Sequence, residues 1–234
     1  MDTPFADRLG SLLLRNPLAG PDDLAGFVVE GEAASTFPLG RWRLEGTRPA
    51  DDGQAANVVV WCPQELPDHI HIAWNFRPLR EPGLCILFFA ARGHGGRSVL
   101  DPGLRPRSGP YDQYHHGDLD TLHVSYFRRK HPSERAFTTC NLRKSHGFHL
   151  VAQGADPLPG VADAKDSYRI WVVKSGAQVR FGIDHLECLR WSDPGTDFGP
   201  ILGGGHIGFR QMTPMIGEYH DLDIHALTRP LEKE

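Results

Sequence analysis

Two kinds of apolar patterning organise the chain. Residues 67–76, Pro-Asp-His-Ile-His-Ile-Ala-Trp-Asn-Phe, alternate: Ile70, Ile72, Trp74 and Phe76 fall on one side of an extended chain, and His69, His71, Ala73 and Asn75 on the other. Successive strand side chains point to opposite faces, so this stretch predicts a half-buried strand. Its second face carries hydrogen-bonding groups in place of the usual Lys and Glu, as on a sheet face that binds something polar. Residues 84–92, Leu-Cys-Ile-Leu-Phe-Phe-Ala-Ala-Arg, are apolar on both sides. That predicts a central strand covered on each face.

Shorter runs predict strands at 27–31, 37–44, 57–61, 122–129, 137–143, 147–152, 168–174, 179–183, 186–191, 206–213 and 219–227. Lys174-Ser175-Gly176 and Asp184-His185 suit the tight turns of a meander. Residues 93–117 form a long loop rich in Gly, Pro, His and Arg, and so long a loop in a compact domain is more often functional than accidental. Leu9, Leu12 and Leu13 predict one face of a helical turn, interrupted by Asn16-Pro17 and Gly20-Pro21. Roughly a dozen regularly spaced strands with almost no helix predict an all-β fold, an antiparallel β-sandwich or jelly roll. No internal repeat or charged linker divides it, so one domain over 1–234 is the simplest account.

Composition narrows the classes. A formal charge of −4 removes the basic footprint of a nucleic-acid binder. The four cysteines show no Cys-x-x-Cys spacing, which argues against a zinc site built from them. No basic segment followed by an apolar stretch opens the chain, and the longest apolar run, 84–91, is too short to span a bilayer. A cytoplasmic protein with reduced thiols and no membrane partner is the expectation. The oligomeric state is not indicated.

Several segments occur together in a familiar order. They are Asn16-Pro17-Leu18-Ala19-Gly20-Pro21-Asp22-Asp23-Leu24, Gly40-Arg41-Trp42-Arg43-Leu44-Glu45, Pro67-Asp68-His69-Ile70, Trp74-Asn75-Phe76, Asn141-Leu142-Arg143-Lys144-Ser145-His146-Gly147-Phe148-His149-Leu150 and Gly208-Phe209-Arg210-Gln211-Met212. On these the chain resembles the YesU-like family of bacterial proteins, from about residue 14 to 227. The resemblance implies a concanavalin A-like lectin/glucanase fold, with two large antiparallel sheets and a glycan held in a concave groove. It also implies a saccharide ligand, since the family's name-bearing member is similar to products of pectin-utilisation operons. Fold analogy supplies no mechanism.

Glycoside hydrolysis needs two carboxylates flanking the scissile bond. The Glu-x-Asp-x-(x)-Glu strand pattern of glucanases is absent, and the pairs Asp118/Asp120 and Asp221/Asp223 read as solvated. β-Elimination from a uronate needs a cation or hydrogen-bond donors at the sugar carboxylate, a base, and an acid for the leaving oxygen. Residue types suited to this lie on strand faces. His71, Tyr126 and His149 are the acid–base candidates, and Asn75, Asn141, Arg143, Arg210 and Gln211 the binding candidates, with Trp191 available to stack on a sugar ring. Asn141 and Arg143, which share a strand face, are the most specific signal.

Most have a plainer reading, and Trp191, like Trp42, Trp74 and Trp171, lies in a strand and suits the filling of the sandwich. Tyr126 alternates with Val124 and suits a core. His149 suits a partly buried structural role, Asn141 and Arg143 a solvated strand face, and Arg210 a carboxylate partner. His115-His116 reads as exposed loop. His69 and His71 at i, i+2 have ligand spacing but no third ligand nearby, so no metal is expected, and no cofactor. The function expected is action on, or binding of, plant-derived, uronate-containing oligosaccharides, leaning to lyase chemistry. The alternatives are a non-catalytic lectin-like module, a glycoside hydrolase, or a structural or partner-binding sandwich.

Overall fold

The structure, a computed structural model, describes residues 5–129 and 138–232. Two antiparallel sheets face each other. One runs, in spatial order, β3 (Ala33–Thr36), β4 (Trp42–Gly46), β15 (Ile216–Leu227), β6 (Ile70–Arg80), β11 (Tyr168–Ser175), β12 (Gln178–Ile183) and β13 (Leu186–Ser192), with β1 (Leu9–Asn16) pairing the second half of β15. The other runs β2 (Val28–Glu30), β5 (Val58–Trp61), β14 (His206–Gln211), β7 (Gly83–Gly93), β8 (Leu119–Arg129), β9 (Thr139–Ser145) and β10 (His149–Ala155). This is the all-β sandwich that the spacing of strands and turns predicts. Phe137, assigned to the first residue of a strand on sequence grounds, lies outside the described residues. No described helix is long and apolar enough to cross a membrane.

Alternation in β6 sends Ile70, Ile72, Trp74 and Phe76 into the space between the sheets, where Cys85, Leu87 and Phe89 of β7 and Val124 and Tyr126 of β8 join the same core. Tyr126 is fully buried, with ring centroids 5.2 Å from Phe76 and 5.8 Å from Trp74. Gln211 also points inward. Its amide donates to the Leu44 carbonyl at 2.8 Å and the Met215 carbonyl at 2.9 Å, and accepts from the Tyr219 hydroxyl at 3.1 Å. Both residues, expected on a polar binding face, therefore belong to the interior, because Val124 and Phe209 fix the apolar side of their strands. Tyr126→Phe is expected to leave any activity intact and shift unfolding free energy by no more than about 1 kcal/mol, since only one hydroxyl is lost. Urea titration beside an activity assay checks this.

β7 is apolar on both faces for the reason anticipated. Its outward residues Leu84, Ile86 and Phe88 form a second core with Val59 and Trp61 and with Val99, Leu104 and Tyr114 of the long β7–β8 connection. That connection is a fixed cover over half of the outer sheet face. The N-terminal segment departs from expectation. Leu9, Leu12 and Leu13 lie in strand β1, because the second half of β15 offers a free edge and Leu13 and Leu14 reach the core from it, while Leu12 stays exposed. Tertiary pairing overrides a weak local helical preference.

Candidate functional site

Strand register aligns two rows of side chains across the outer face of the seven-stranded sheet. One reads Arg143, His123, Phe88, Gly208, Trp61 from β9 to β5. The next begins on β10 and reads Gln153, Asn141, Ser125, Ile86, Arg210, Val59. Directly opposed residues in antiparallel strands share a face. The rows thus pass from polar, on β8 to β10, to mainly apolar, on β7, β14 and β5. The long connection covers the apolar part.

At the boundary, Tyr111 enters from that connection just before a helical turn, α1 (Asp112–His115). The Arg210 guanidinium sits 4.5 Å from its ring centroid. His115, Phe148 and His123 stand edge-on to the same ring at 4.7, 5.4 and 5.6 Å. Phe148 is at the tip of the β9–β10 hairpin, where the Arg143 guanidinium lies 3.7 Å over it. The Gly147 N–H donates to the His115 carbonyl at 2.6 Å, tying the hairpin tip to α1.

The electrostatics are unusual for a sheet surface. Burial pushes the Tyr111 phenol up to about 12, although Arg210, Arg143 and Arg128 all favour its ionised form. Burial brings His115 down to about 4, with His116, Arg210 and Arg143 adding to the effect. Burial also holds His123 well below the ordinary imidazole range, and both its ring nitrogens lack a hydrogen-bond partner. Near neutral pH the site therefore holds neutral imidazoles and a neutral phenol among guanidinium groups. Among the described residues neither Arg143 nor Arg210 pairs with a carboxylate. Arg143 donates to the Phe148 carbonyl at 3.0 Å, and Arg210 to Gln54 Oε1 at 3.0 Å and the Gly109 carbonyl at 3.3 Å. The Asn141 amide oxygen accepts from Gln153 at 2.7 Å.

Of the residues singled out on sequence grounds, Asn141, Arg143 and Arg210 come together here. The others do not. His71 and Asn75 lie on the outer face of the eight-stranded sheet, the opposite side of the sandwich. His71 is buried in register with Val173, its ring stacked 6.5 Å from Trp171, and Asn75 donates to Asp221 at 3.0 Å. His149 pairs with Lys144 in register, so it faces away from Arg143, and it stacks on Phe198 at 4.1 Å. Trp191 packs against the core from strand β13 of the other sheet. His69 bonds Ser175 at 2.8 Å before the strand begins, and so does not stand beside His71 as a ligand pair. The carboxylate pairs serve ion pairs: Asp118 with Arg105 at 2.5 Å, and Asp223 with Arg15 and Arg169 at 2.8 and 3.2 Å. Sequence pattern alone does not mark Tyr111, His115, His123 or Phe148 as site residues. The signals available were the length of the loop and the alternation of His123 and Ser125 against Val124.

His71 instead makes a stability prediction. Burial, aided by Arg169 and His225, lowers it to about 4. The unfolded chain takes up its proton near pH 6.5 and the folded protein only near 4, so the unfolded state binds more protons between those values. Stability contributed by the neutral ring is present above about pH 6.5 and is lost on acidification, by roughly 2 kcal/mol at about pH 5. Urea titrations at the two ends of that window check it, and His71→Asn should flatten the slope.

A family model described as "Domain of unknown function (DUF1961)" matches residues 11–224. "Uncharacterized protein YesU" of Bacillus subtilis (strain 168) is 47% identical over 220 residues, which are 94% of this chain and 98% of that protein. A solved Bacillus subtilis protein of unknown function with a galectin-like fold superposes with a TM-score of 0.91 at 46% identity, covering 95% of this chain and 99% of the other. The VIP36 exoplasmic/lumenal domain in its Ca2+/Man3GlcNAc-bound form superposes at 0.59 with 12% identity, covering 96% of this chain and 92% of that one. That last likeness is one of fold.

Proposed function

Because the chain belongs to the DUF1961 family, whose description assigns no activity, we propose its function from the site: strands β8 to β10 bind acidic, uronate-containing oligosaccharides of plant origin and act on them by β-elimination. One observation carries the reading. Arg143, paired to no carboxylate among the described residues, lies over the Phe148 ring, which meets Tyr111 at 5.4 Å beside neutral imidazoles, while Arg210 is buried against Tyr111. A partly buried guanidinium left without an anion is costly, and a sugar carboxylate is an anion of the right shape for the planar fork of Arg143. A fold shared with a domain solved bound to Man3GlcNAc supports a sugar ligand.

In this reading Arg143, with Asn141, holds the uronate carboxylate and stabilises the negative charge that spreads onto it as C5 loses its proton. Neutral His115 takes that proton. The C5–H electron pair forms the C4–C5 double bond, the C4–O bond breaks, and the Tyr111 hydroxyl protonates the departing oxygen. The ring centroids of base and acid are 4.7 Å apart. These two replace the acid–base candidates drawn from sequence. Incubation with oligogalacturonides and glucuronate-containing oligosaccharides should generate the ultraviolet absorbance of a conjugated, unsaturated uronate. A flat trace with no product by chromatography contradicts the lyase step.

A second reading, binding without turnover, is favoured by the low pKa of His115, about 4, which makes it a weak base near neutrality. The Phe148 ring, 41% exposed beside the polar strands, is a surface on which a sugar can stack. Calorimetry that registers binding where chromatography finds no product selects it.

A further inference from the structure

Sugar chains that lie along an open sheet face contact it across many strands. Here the face is stopped. On the β7, β14 and β5 side, the outer surface is filled by the second apolar core, with Tyr111 and Tyr114 standing over Arg210, Phe88 and Trp61. At the hairpin end, Phe148 closes against His115 at 4.5 Å and against Tyr111 at 5.4 Å, and the Gly147–His115 hydrogen bond fixes that closure. Of the outward polar residues on β8 to β10, Arg143 and Gln153 reach solvent, whereas His123, Ser125 and Asn141 are buried, so the accessible polar strip on this face lies on β9 and β10. Two neighbouring strands about 4.8 Å apart offer a strip only about one pyranose ring wide. The guanidinium of Arg143 lies directly against the wall, over the Phe148 ring, so the charge reader stands at the blocked end of the strip.

Resting on the reading of this face as an acidic-sugar site, we propose that it recognises the end of an oligosaccharide and not the interior of a polymer. Tyr111 and Phe148 form an end wall, the reducing-end uronate docks its carboxylate on Arg143 against that wall, and the next sugar, carried on its O4, lies over Gln153. Phe148 is thus a specificity-determining residue. The mode of action that follows is release from chain ends, or use of short fragments already produced by an internally cleaving enzyme.

The test is a length series. Oligogalacturonides and glucuronate-containing oligosaccharides, from disaccharide to octasaccharide, are titrated calorimetrically against the whole protein, with polygalacturonate and end-modified oligomers alongside. Affinity per chain should level off by the trisaccharide, because further sugars find no surface, whereas each additional sugar in contact would tighten binding by about tenfold. Modifying the recognised chain end should abolish binding, and the polymer should bind only in proportion to its ends. Phe148→Ala, checked for folding by thermal melt, should restore a gain with length. Affinity that keeps climbing with length in the wild type, or end-modified chains that bind as well as free ones, overturns the end wall while leaving the acidic-sugar site standing. Failure of every acidic oligosaccharide to bind overturns both.

Discussion

Arg143→Met should weaken binding of acidic oligosaccharides by about 10- to 100-fold, the range set by losing a charge-assisted, two-pronged contact. Arg143 is only part-buried, and within the protein it makes one hydrogen bond to the Phe148 carbonyl and lies over the Phe148 ring. The fold should therefore lose only about 1 kcal/mol, since an exposed cation–π contact and one hydrogen bond are each small. Arg143→Lys keeps the charge but not the planar fork, and is expected to fall between wild type and Met. Calorimetric titration paired with a thermal melt separates the two effects. Neutral oligosaccharides, which have no carboxylate to lose, should show little change.

The neighbouring residue should behave in the opposite way. Lys144 alternates to the inner side of β9, where its ammonium donates to Asp193 at 2.7 Å and to the carbonyls of Gly199 and Pro200 at 2.9 and 2.8 Å. Both charged side chains are buried, at 1% and 5% exposure. Lys144→Met strands the Asp193 carboxylate without its partner in a dry setting, and a buried pair broken from one side costs about 3–5 kcal/mol. For a chain of this size that corresponds to a fall in Tm on the order of 10 °C. Binding measured well below the melting temperature should be unchanged, because Lys144 does not reach the outer face. Adjacent residues on one strand thus divide function from stability, and a melt that moves for Arg143→Met but not for Lys144→Met would reverse the assignment of faces.

The same alternation explains what could be read in advance. A period of two tells which residues share a face, so Asn141 with Arg143, and the inward set Ile70, Ile72, Trp74 and Phe76, were legible. It does not tell which outer face of a two-sheet sandwich a polar row belongs to. His71 and Arg143 both sit on outward rows, yet on opposite sides of the molecule, because their strands belong to different sheets: β6 lies between β11 and β15 in one, and β9 between β8 and β10 in the other. Tyr126 was assignable to the core by its alternation with Val124, which outweighs its hydroxyl. Tyr111 and His115 lie in a loop, where no periodicity applies, and only the packing of that loop onto Phe88 and Trp61 brings them beside Arg143. Strand β1 was hidden for a related reason, since its pairing partner is some two hundred residues away, at the far end of the chain.

The central claim is that the outer face of the seven-stranded sheet, at β8 to β10, holds an acidic sugar. A crystal structure of the protein with a short oligogalacturonide tests it most directly. The account predicts the sugar carboxylate within hydrogen-bond distance of the Arg143 guanidinium, with its ring bounded by Tyr111 and Phe148. A sugar seated instead on the His71 side of the sandwich, or lying on this face with its carboxylate turned away from Arg143, would contradict it.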